Sequence, residues 1–142
     1  MGTVENLLQK KGTIVHSISP DSSVYNALEL LQSKNLGALV VVQNEILIGI
    51  FTERDYARKV VLKGRSSKDT LIRDIMTDSP IYVSPENTID DCMEIMTDKH
   101  IRHLPVMRNG RLLGVISIGD LVKFVIDEKN FIIKNLQDYI VS

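Results

Sequence analysis

The sequence predicts an α/β fold of the α+β kind, in which two β-α-β-β-α repeats pack together about a pseudo-twofold axis. Two observations lead to this prediction: the chain aligns with itself, and each aligned half alternates short apolar runs with segments of helical periodicity. When residues 13–61 are laid on 78–126 without a gap, Asp55 coincides with Asp120, and a Ser-Pro pair is repeated as well. Each unit alone is too short to bury a sufficient core, so the two should pack against each other.

Composition and charge narrow the class of protein. Of the 142 residues, 44% are hydrophobic, and 17 basic residues stand against 18 acidic ones. Binding to nucleic acid depends largely on neutralising phosphates, and this charge balance argues against such a partner. No apolar run approaches the roughly 18 residues of a membrane span, the first residues lack the apolar core of a signal peptide, and the lone Cys92 excludes an internal disulfide. We therefore predict a cytoplasmic protein without a nucleic-acid or membrane partner.

The first part of each repeat is an extended segment followed by a helix. Residues 13–18 and 79–84 are the extended segments. In the first repeat Pro20–Ser23 begins a helix, and apolar side chains then recur at helical spacing from Val24 to Leu31. The second repeat has the matching helix near 87–99.

Each repeat continues with a pair of short strands. The β-branched runs at 37–42 and 46–51 are too short for helices and predict a hairpin, and the runs at 103–107 and 111–116 predict its counterpart. Polar turns at 43–45 and 108–110 separate the strands.

Helices are predicted after both hairpins. The first begins after the N-cap Thr52 and ends before Gly64, and the second begins at 118. The link at 64–77 is polar with a short helical segment, and 128–142 reads as a terminal amphipathic helix. The predicted division of the chain is a first repeat at 7–70, a second repeat at 71–130 and a C-terminal helix at 131–142.

Each hairpin ends in the same motif, a glycine, two apolar residues, a hydroxyl, two variable positions and an aspartate. The copies read "GIFTERD" at 49–55 and "GVISIGD" at 114–120. The hydroxyl and carboxylate pairs are Thr52 with Asp55, and Ser117 with Asp120. One interpretation is structural: the hydroxyl caps the helix, the carboxylate favours its N-terminus, and the glycine relieves packing in the strand.

The second interpretation of the motif is a binding site. A helix N-terminus presents unpaired N–H groups to an anion, a hydroxyl there can meet a phosphate, and a carboxylate one turn on can accept hydrogen bonds from the two hydroxyls of a ribose, as in another nucleotide-binding fold. Gly119, inside the first helical turn, favours this interpretation, because glycine there costs up to about 1 kcal/mol relative to alanine. A backbone that must approach a ligand closely would explain it.

The tandem units, the two motif copies and the stretch "IRHLPVMRNGRLLGVISIGDLV" strongly resemble a CBS-domain pair, also called a Bateman module. The resemblance covers roughly 7–130. It implies a small stand-alone CBS-domain protein that binds an adenine nucleotide, such as AMP, ATP or NAD(H), in clefts between the repeats. It implies no metal and no catalytic residues.

The resemblance also implies which residues meet the nucleotide. Asp55 and Asp120 match the ribose-binding aspartates of the family, and Thr52 and Ser117 match its hydroxyl positions. The extended segments usually meet adenine through their backbone. The full set of implied site residues is Val15, His16, Gly37, Ala38, Thr52, Arg54, Asp55, Pro80, Ile81, Arg102, His103, Pro105, Ser117, Gly119 and Asp120.

The two clefts are expected to differ. Arg54 supplies a cation to the first motif, where the second has Gly119. The better-equipped cleft is expected to combine Arg102, His103, Ser117 and Asp120. On this basis the first cleft would take an extended diphosphate such as NADH, and the second a compact monophosphate such as AMP.

Two other sets of side chains have simpler explanations. His100, Arg102 and His103 precede a strand, and contacts with phosphate or solvent are favoured over a metal because further ligands at useful spacing are missing. Cys92 lies on a helix face and is expected to be a small core residue.

We expect a ligand sensor and not an enzyme: nucleotide occupancy shifts the protein between two arrangements, and an unknown effector protein reads the change. A homodimer is expected through the apolar faces of 55–62 and 120–126, helped by the terminal helix. The stripe from Phe131 to Tyr139 is expected to be an oligomer contact or a cover for the sheet. The alternatives are a structural dimerisation module with empty clefts and, with less support, a nucleotide-processing enzyme with His103 or Asp120 as base.

Overall fold

The structure is a computed structural model, and it describes residues 2–141. The helices are α1 Val4–Lys11, α2 Val24–Lys34, α3 Glu53–Asp55 with its π-helical continuation Tyr56–Val61, α4 Ile72–Ile75, α5 Ile89–Lys99 and α6 Ile118–Val141. The strands are β1 Ser17–Ile18, β2 Ala38–Gln43, β3 Ile46–Thr52, β4 Thr77–Asp78, β5 His103–Arg108 and β6 Arg111–Ser117. The order confirms the α/β class and the repeated β-α-β-β-α units.

The first repeat forms a four-stranded sheet in the order β1-β2-β3-β4. Strand β1 is parallel to β2, while β3 is antiparallel to both β2 and β4. The hairpin closes through Asn44 and Glu45, which have φ of 52° and 64°. These left-handed values are those of a type I′ turn, which matches the twist of the two strands.

The second repeat builds the same arrangement with fewer strands. Its sheet contains β5 and β6, and Val83 forms a parallel bridge to Val106 where β1 lies in the first repeat. The turn residues Asn109 and Gly110 have φ of 52° and 76°. The predicted hairpins and turns are therefore confirmed in both halves.

Each repeat buries its own apolar cluster. The first contains Val24, Ala27, Leu31, Leu39, Val41, Phe51, Val60, Ile72 and Ile75. The second contains Val4, Leu7, Leu8, Val83, Ile89, Cys92, Met96, Leu104, Val106, Ile116, Leu121 and Phe124. Cys92 is fully buried, as predicted.

The second cluster includes the N-terminal helix α1, which the sequence did not predict. The Val4 N–H donates to Asn87 O at 2.9 Å, and the Ile89 N–H donates to Gly2 O at 2.9 Å. The segment between the repeats packs on the first repeat in a similar way, since the Ile72 N–H donates to Ser22 O at 2.9 Å. The second repeat is thus covered by α1, which lies far before it in the chain, and the first repeat is covered by the segment around α4, which follows its hairpin.

The motif glycines make room for these covering segments. A Cβ on Gly49 would lie 2.7 Å from Met76 Sδ and 2.9 Å from Thr77 O, and a Cβ on Gly114 would lie 2.9 Å from Leu8 Cδ2. Both distances are below those that real Cβ atoms show. The structural interpretation of these two glycines is confirmed.

Two helix predictions need correction. The helix predicted from Thr52 to Gly64 is a short α-helical turn followed by a π-helix, which ends at Val61. The terminal helix predicted at 128–142 is the second half of the continuous α6, because no glycine, proline or cap separates it from the turn that follows Ser117. The predicted boundaries at 70/71 and 130/131 stay predictions.

Candidate functional site

Both motif copies form reciprocal caps at the start of their helices. The Asp55 N–H donates to Thr52 Oγ1 at 3.2 Å, while the Thr52 N–H donates to Asp55 Oδ2 at 3.0 Å. In the second copy the Asp120 N–H donates to Ser117 Oγ at 3.1 Å, and the Ser117 N–H donates to Asp120 Oδ2 at 2.8 Å. The capping interpretation is therefore confirmed, and any ligand would be bound by groups that already serve the fold.

Asp55 is almost fully enclosed by protein groups. Its Oδ1 accepts from Lys59 Nζ at 2.9 Å and from Thr77 Oγ1 at 3.0 Å. Only 6% of the residue is exposed. A ribose hydroxyl could reach this carboxylate only by displacing Lys59 or Thr77.

Asp120 has a different cation and more open surroundings. Lys11 Nζ lies 2.6 Å from Asp120 Oδ2 and also donates to Val115 O at 2.6 Å. Within residues 2–141, both hydrogen bonds that the Asp120 carboxylate accepts end on Oδ2. The other oxygen, on a side chain that is 25% exposed, has room for a further donor.

A cleft of about 680 Å³ lies where the two repeats meet. Its walls contain eight of the predicted site residues: Gly37, Thr52, Arg54, Asp55, Pro80, Ile81, Arg102 and His103. We call it the first cleft. The motif of the first repeat thus shares one cavity with the extended segment and the strand entry of the second repeat.

This grouping adds to one prediction. Arg102 and His103 were expected to form a cleft with Ser117 and Asp120. They line the first cleft together with Arg54, because the start of β5 packs across the repeat interface, which sequence spacing cannot reveal. His103 is also paired with Ser117 between β5 and β6, and the grouping with Ser117 and Asp120 stays a prediction.

Cations outnumber anions in the walls of the first cleft. Arg54, Arg58, Lys59 and Arg102 stand against Glu53 and Asp55. Arg58 and Lys59 are not among the residues predicted from the motif. Lys59 could have been found, because it follows Asp55 by one helical turn and such pairs face each other.

Arg54 also links the two repeats. Its Nη1 donates to His100 O at 2.5 Å. His100 ends α5 in the left-handed conformation, with φ of 55°. Because a guanidinium carries five N–H donors, Arg54 can keep this bond and still meet an anion in the cleft.

His103 lies between the two motifs. A Cβ on Gly37 would be 3.2 Å from its ring, so the glycine allows the imidazole to pack close to the backbone. Burial lowers the pKa of His103, and Lys11 lowers it further, while the carboxylates of Asp120 and Glu53 oppose the shift. The imidazole is therefore neutral at pH 7 and acts as a hydrogen-bonding group and not as a cation.

The remaining predicted residues lie outside the walls of the first cleft. Ala38 is buried and paired with Thr52. Pro105 is also buried, and its carbonyl accepts from the Val83 N–H at 3.0 Å. Val15 and His16 are half-buried in the segment before β1.

Gly119 is not required by the packing of the protein. A Cβ there would meet only Ser117 Oγ, at 3.6 Å. The structure therefore leaves open space at the start of α6, beside Ser117 and Asp120.

A second cavity of about 740 Å³ lies beside the first cleft. Leu47, Tyr82, Met107 and Arg108 contribute to its walls, and Ser79 and Pro80 contribute to both cavities. Ser79 is in the left-handed region with φ of 45°. The motifs gave no signal for this cavity.

Among residues 2–141, no group of three or more His, Cys, Asp or Glu side chains is placed to hold a metal ion. None of the helices within residues 2–141 is both long enough and apolar enough to cross a membrane.

Solved structures share the fold of this chain. A putative signal-transduction protein with CBS domains from Burkholderia ambifaria is 48% identical, with a TM-score of 0.85 over 88% of this chain and 94% of that one. The crystal structure of CBSX2 in complex with AMP is 26% identical, with a TM-score of 0.74 over 91% of this chain and 99% of that one.

Sequence comparison agrees. The mitochondrial CBS domain-containing protein CBSX3 of Arabidopsis thaliana is 40% identical over 97% of this chain and 71% of that protein. Its name places that relative in mitochondria, and the cytoplasmic location of this chain stays a prediction. The model of the CBS domain matches twice, at 12–62 and 72–127. With two tandem matches that span most of its length, the chain belongs to the CBS-domain family.

Proposed function

We propose that the protein is a regulatory module that binds an adenine nucleotide in the first cleft and transmits its occupancy to a partner protein. The observation that carries the proposal is the joining of the motif of one repeat with the cationic strand entry of the other in one cavity of about 680 Å³. Cavities of roughly 300–1,000 Å³ are typical of small-molecule sites. The structure of CBSX2 with AMP supports the choice of ligand.

The walls of the cleft suit the parts of a nucleotide. Phosphates would lie at the start of α3, near Arg54 and Arg102, because charge-assisted bonds to guanidinium groups are strong. Adenine would lie against Pro80 and Ile81, whose apolar side chains are partly exposed. Ribose would meet Asp55 after Lys59 or Thr77 moves aside.

The excess of cations favours a ligand with more than one phosphate. A monophosphate can satisfy one or two of the cations Arg54, Arg58, Lys59 and Arg102, whereas ATP, ADP or NAD(H) can meet more of them. We therefore rank the ligands of the first cleft as ATP or NAD(H) ahead of AMP. No metal is needed for this arrangement.

The proposal also includes a site at the motif of the second repeat, which we call the second cleft and which is not the cavity of about 740 Å³. By the repeat symmetry it would combine Val15 and His16 with Gly37, Ser117, Gly119 and Asp120. The unengaged oxygen of Asp120 and the open space at Gly119 support a ligand there. Lys11 stands beside the carboxylate and would either contact the ligand or move away.

Transmission would use the bond between Arg54 and the carbonyl of His100. This bond joins the first motif to His100, the residue that caps the end of α5, and therefore one repeat to the other. A phosphate that draws the guanidinium toward the cleft changes that link, and a ligand shifts an equilibrium by its differential affinity for the two arrangements. A homodimer through the faces at 55–62 and 120–126 would carry the change to the effector protein.

The direct test is calorimetric titration with adenosine, AMP, ATP and NADH, with GTP as the control for the base. We expect binding of the adenine ligands with affinity rising with phosphate number. Absence of binding by all of them, together with an unchanged melting temperature, would favour the structural dimerisation module. Release of new products after prolonged incubation with ATP would favour the enzyme.

A further inference from the structure

The helix α6 carries a heptad pattern along one face. Apolar residues alternate at spacings of four and three, with a single exception, over the whole helix. The positions are Ile118, Val122, Val125, Lys129, Ile132, Leu136 and Tyr139. We call this line of residues the α6 seam. Alternating four-and-three spacing is the pattern by which two helices pack lengthwise as a coiled coil.

Apart from Val125, which packs against the second cluster, the apolar residues of the α6 seam are exposed. Leu121 and Phe124, which point toward the second repeat, are buried. The seam residues Ile132 and Leu136 are 55% and 57% exposed, and every residue from 131 to 140 is exposed. A helical segment of this length is marginal in water without packing, so a partner surface along its apolar face would stabilise it.

The polar face of the helix argues against a membrane as that partner. Lys123 and Lys134 alternate there with Asp127 and Asp138. Helices that lie on membrane surfaces have a polar face rich in lysine and arginine, which meets anionic lipid. In all, α6 carries three lysines (Lys123, Lys129, Lys134) and four acidic residues (Asp120, Asp127, Glu128, Asp138). This composition gives no such attraction, and the near balance of charge allows two copies of the helix to approach.

The exception in the seam, Lys129, indicates a specific pairing. A single lysine at a core position of a coiled coil lowers stability but fixes register and oligomeric state. The seam also continues onto the body of the protein. The repeat alignment lays Val61 on Ile126, and both side chains are exposed, so each repeat offers an equivalent exposed apolar side chain.

We propose that the α6 seam pairs lengthwise with the α6 seam of a second copy of this chain. The pairing rests on the proposed function, whose homodimer it extends from 120–126 to Tyr139, and it does not depend on nucleotide binding. The two-fold symmetry of such a dimer uses the same patch on both copies.

The test compares the dimer dissociation constants of full-length variants by sedimentation velocity. Leu136→Lys, on the seam, should weaken the dimer by at least about tenfold, which corresponds to roughly 1.4 kcal/mol. Lys129→Leu should strengthen it. The matched control is Phe131→Ser, because Phe131 is as exposed as the seam residues, at 67%, but lies off the seam.

Hydrogen exchange supplies a second readout that a folding defect would not mimic. In the wild type, protection of the amides at 131–140 should rise with protein concentration, and in Leu136→Lys it should stay low while the amides of α2 and α5 remain protected. Equal effects of Leu136→Lys and Phe131→Ser, or concentration-independent exchange in the wild type, would overturn the proposal. So would a monomeric wild type whose α6 becomes protected only on anionic vesicles.

Failure of this proposal is distinguishable from failure of the proposed function. Nucleotide affinity is measured on the same Leu136→Lys sample. If Leu136→Lys leaves the dimer intact and the protein still binds nucleotide, the pairing of the α6 seams is contradicted and the proposed function is not.

Discussion

Lys11 Nζ and Asp120 Oδ2 lie 2.6 Å apart although 109 positions separate them in the chain. The corresponding aspartate of the first repeat, Asp55, takes its cation from Lys59 on the same helix. Each motif aspartate therefore has one lysine, but only the first lysine belongs to its own helix. The charge of the second motif depends on where α1 is docked.

The first prediction concerns Asp120. Asp120→Ala should weaken nucleotide binding at the second cleft, because hydrogen bonds to a charged group are worth roughly 1.5–3 kcal/mol. Calorimetry with AMP measures the loss, and Asp120→Asn should be intermediate. The same variant removes a helix cap and should lose about 1 kcal/mol of stability. A fall in stability with unchanged AMP affinity would leave the motif with its capping role alone.

The second prediction concerns Arg54. Arg54→Ala should weaken the binding of ATP and NADH more than that of AMP, and should leave adenosine almost unaffected, because its contact with phosphate is charge-assisted. Parallel titrations of the four ligands measure the difference. Arg111→Ala, at an exposed hairpin position outside the cleft, is the control for loss of positive charge. Equal losses for all four ligands would contradict the phosphate assignment.

The third prediction compares the two motif glycines. Gly49→Ala should destabilise the protein by about 1–3 kcal/mol, because the new methyl group would meet the backbone oxygen of Thr77. Gly114→Ala should cost less, since it meets only a methyl of Leu8, which can rotate away. Urea denaturation gives both values. The reverse order would show that α1 is held more rigidly than β4.

The fourth prediction concerns Cys92. Burial raises the pKa of its thiol to about 11 from the model-compound value of 9.0, and the charge of Asp91 adds to the shift. The native thiol should therefore resist a disulfide reagent at pH 8 and react fully after unfolding. Because the unfolded state loses this proton first, the thiol's contribution to stability should decline as the pH rises from about 9 toward 11. Rapid labelling of the native protein would contradict the burial.

The sequence predicted what is decided locally. The hairpin turns, the Thr52 cap and the buried Cys92 each depend on a few neighbouring residues, and the repeat doubled the signal for every one of them. Two features could not be predicted in this way. Helix α1 is short and largely polar, and it is stabilised by contacts with the second repeat that no local pattern reveals. The meeting of Arg102 with Arg54 depends on how the repeats cross, which periodicity does not describe.

The π-helical segment Tyr56–Val61 is a third such feature. Its residues have ordinary helical periodicity, and one additional residue per turn changes the direction of each side chain that follows. Arg58 and Lys59 lie in this segment, and both line the first cleft. Their position in the site therefore depends on a local backbone conformation that the pattern of the sequence does not reveal.

The packing of α1 on the second repeat has a consequence for synthesis on the ribosome. Helix α1 is synthesised before the residues that it contacts. These include the residues at 87–89 and Gly114, beside which Leu8 packs. The first repeat, by contrast, has its sheet and its apolar cluster complete once residue 78 has emerged. The nascent chain can therefore complete its first repeat while α1 waits in solution, and α1 docks only when translation has passed the second hairpin. Such long-range closure is slow compared with local folding, so the apolar face of α1, with Val4, Leu7 and Leu8, stays exposed for longer than the core of the first repeat.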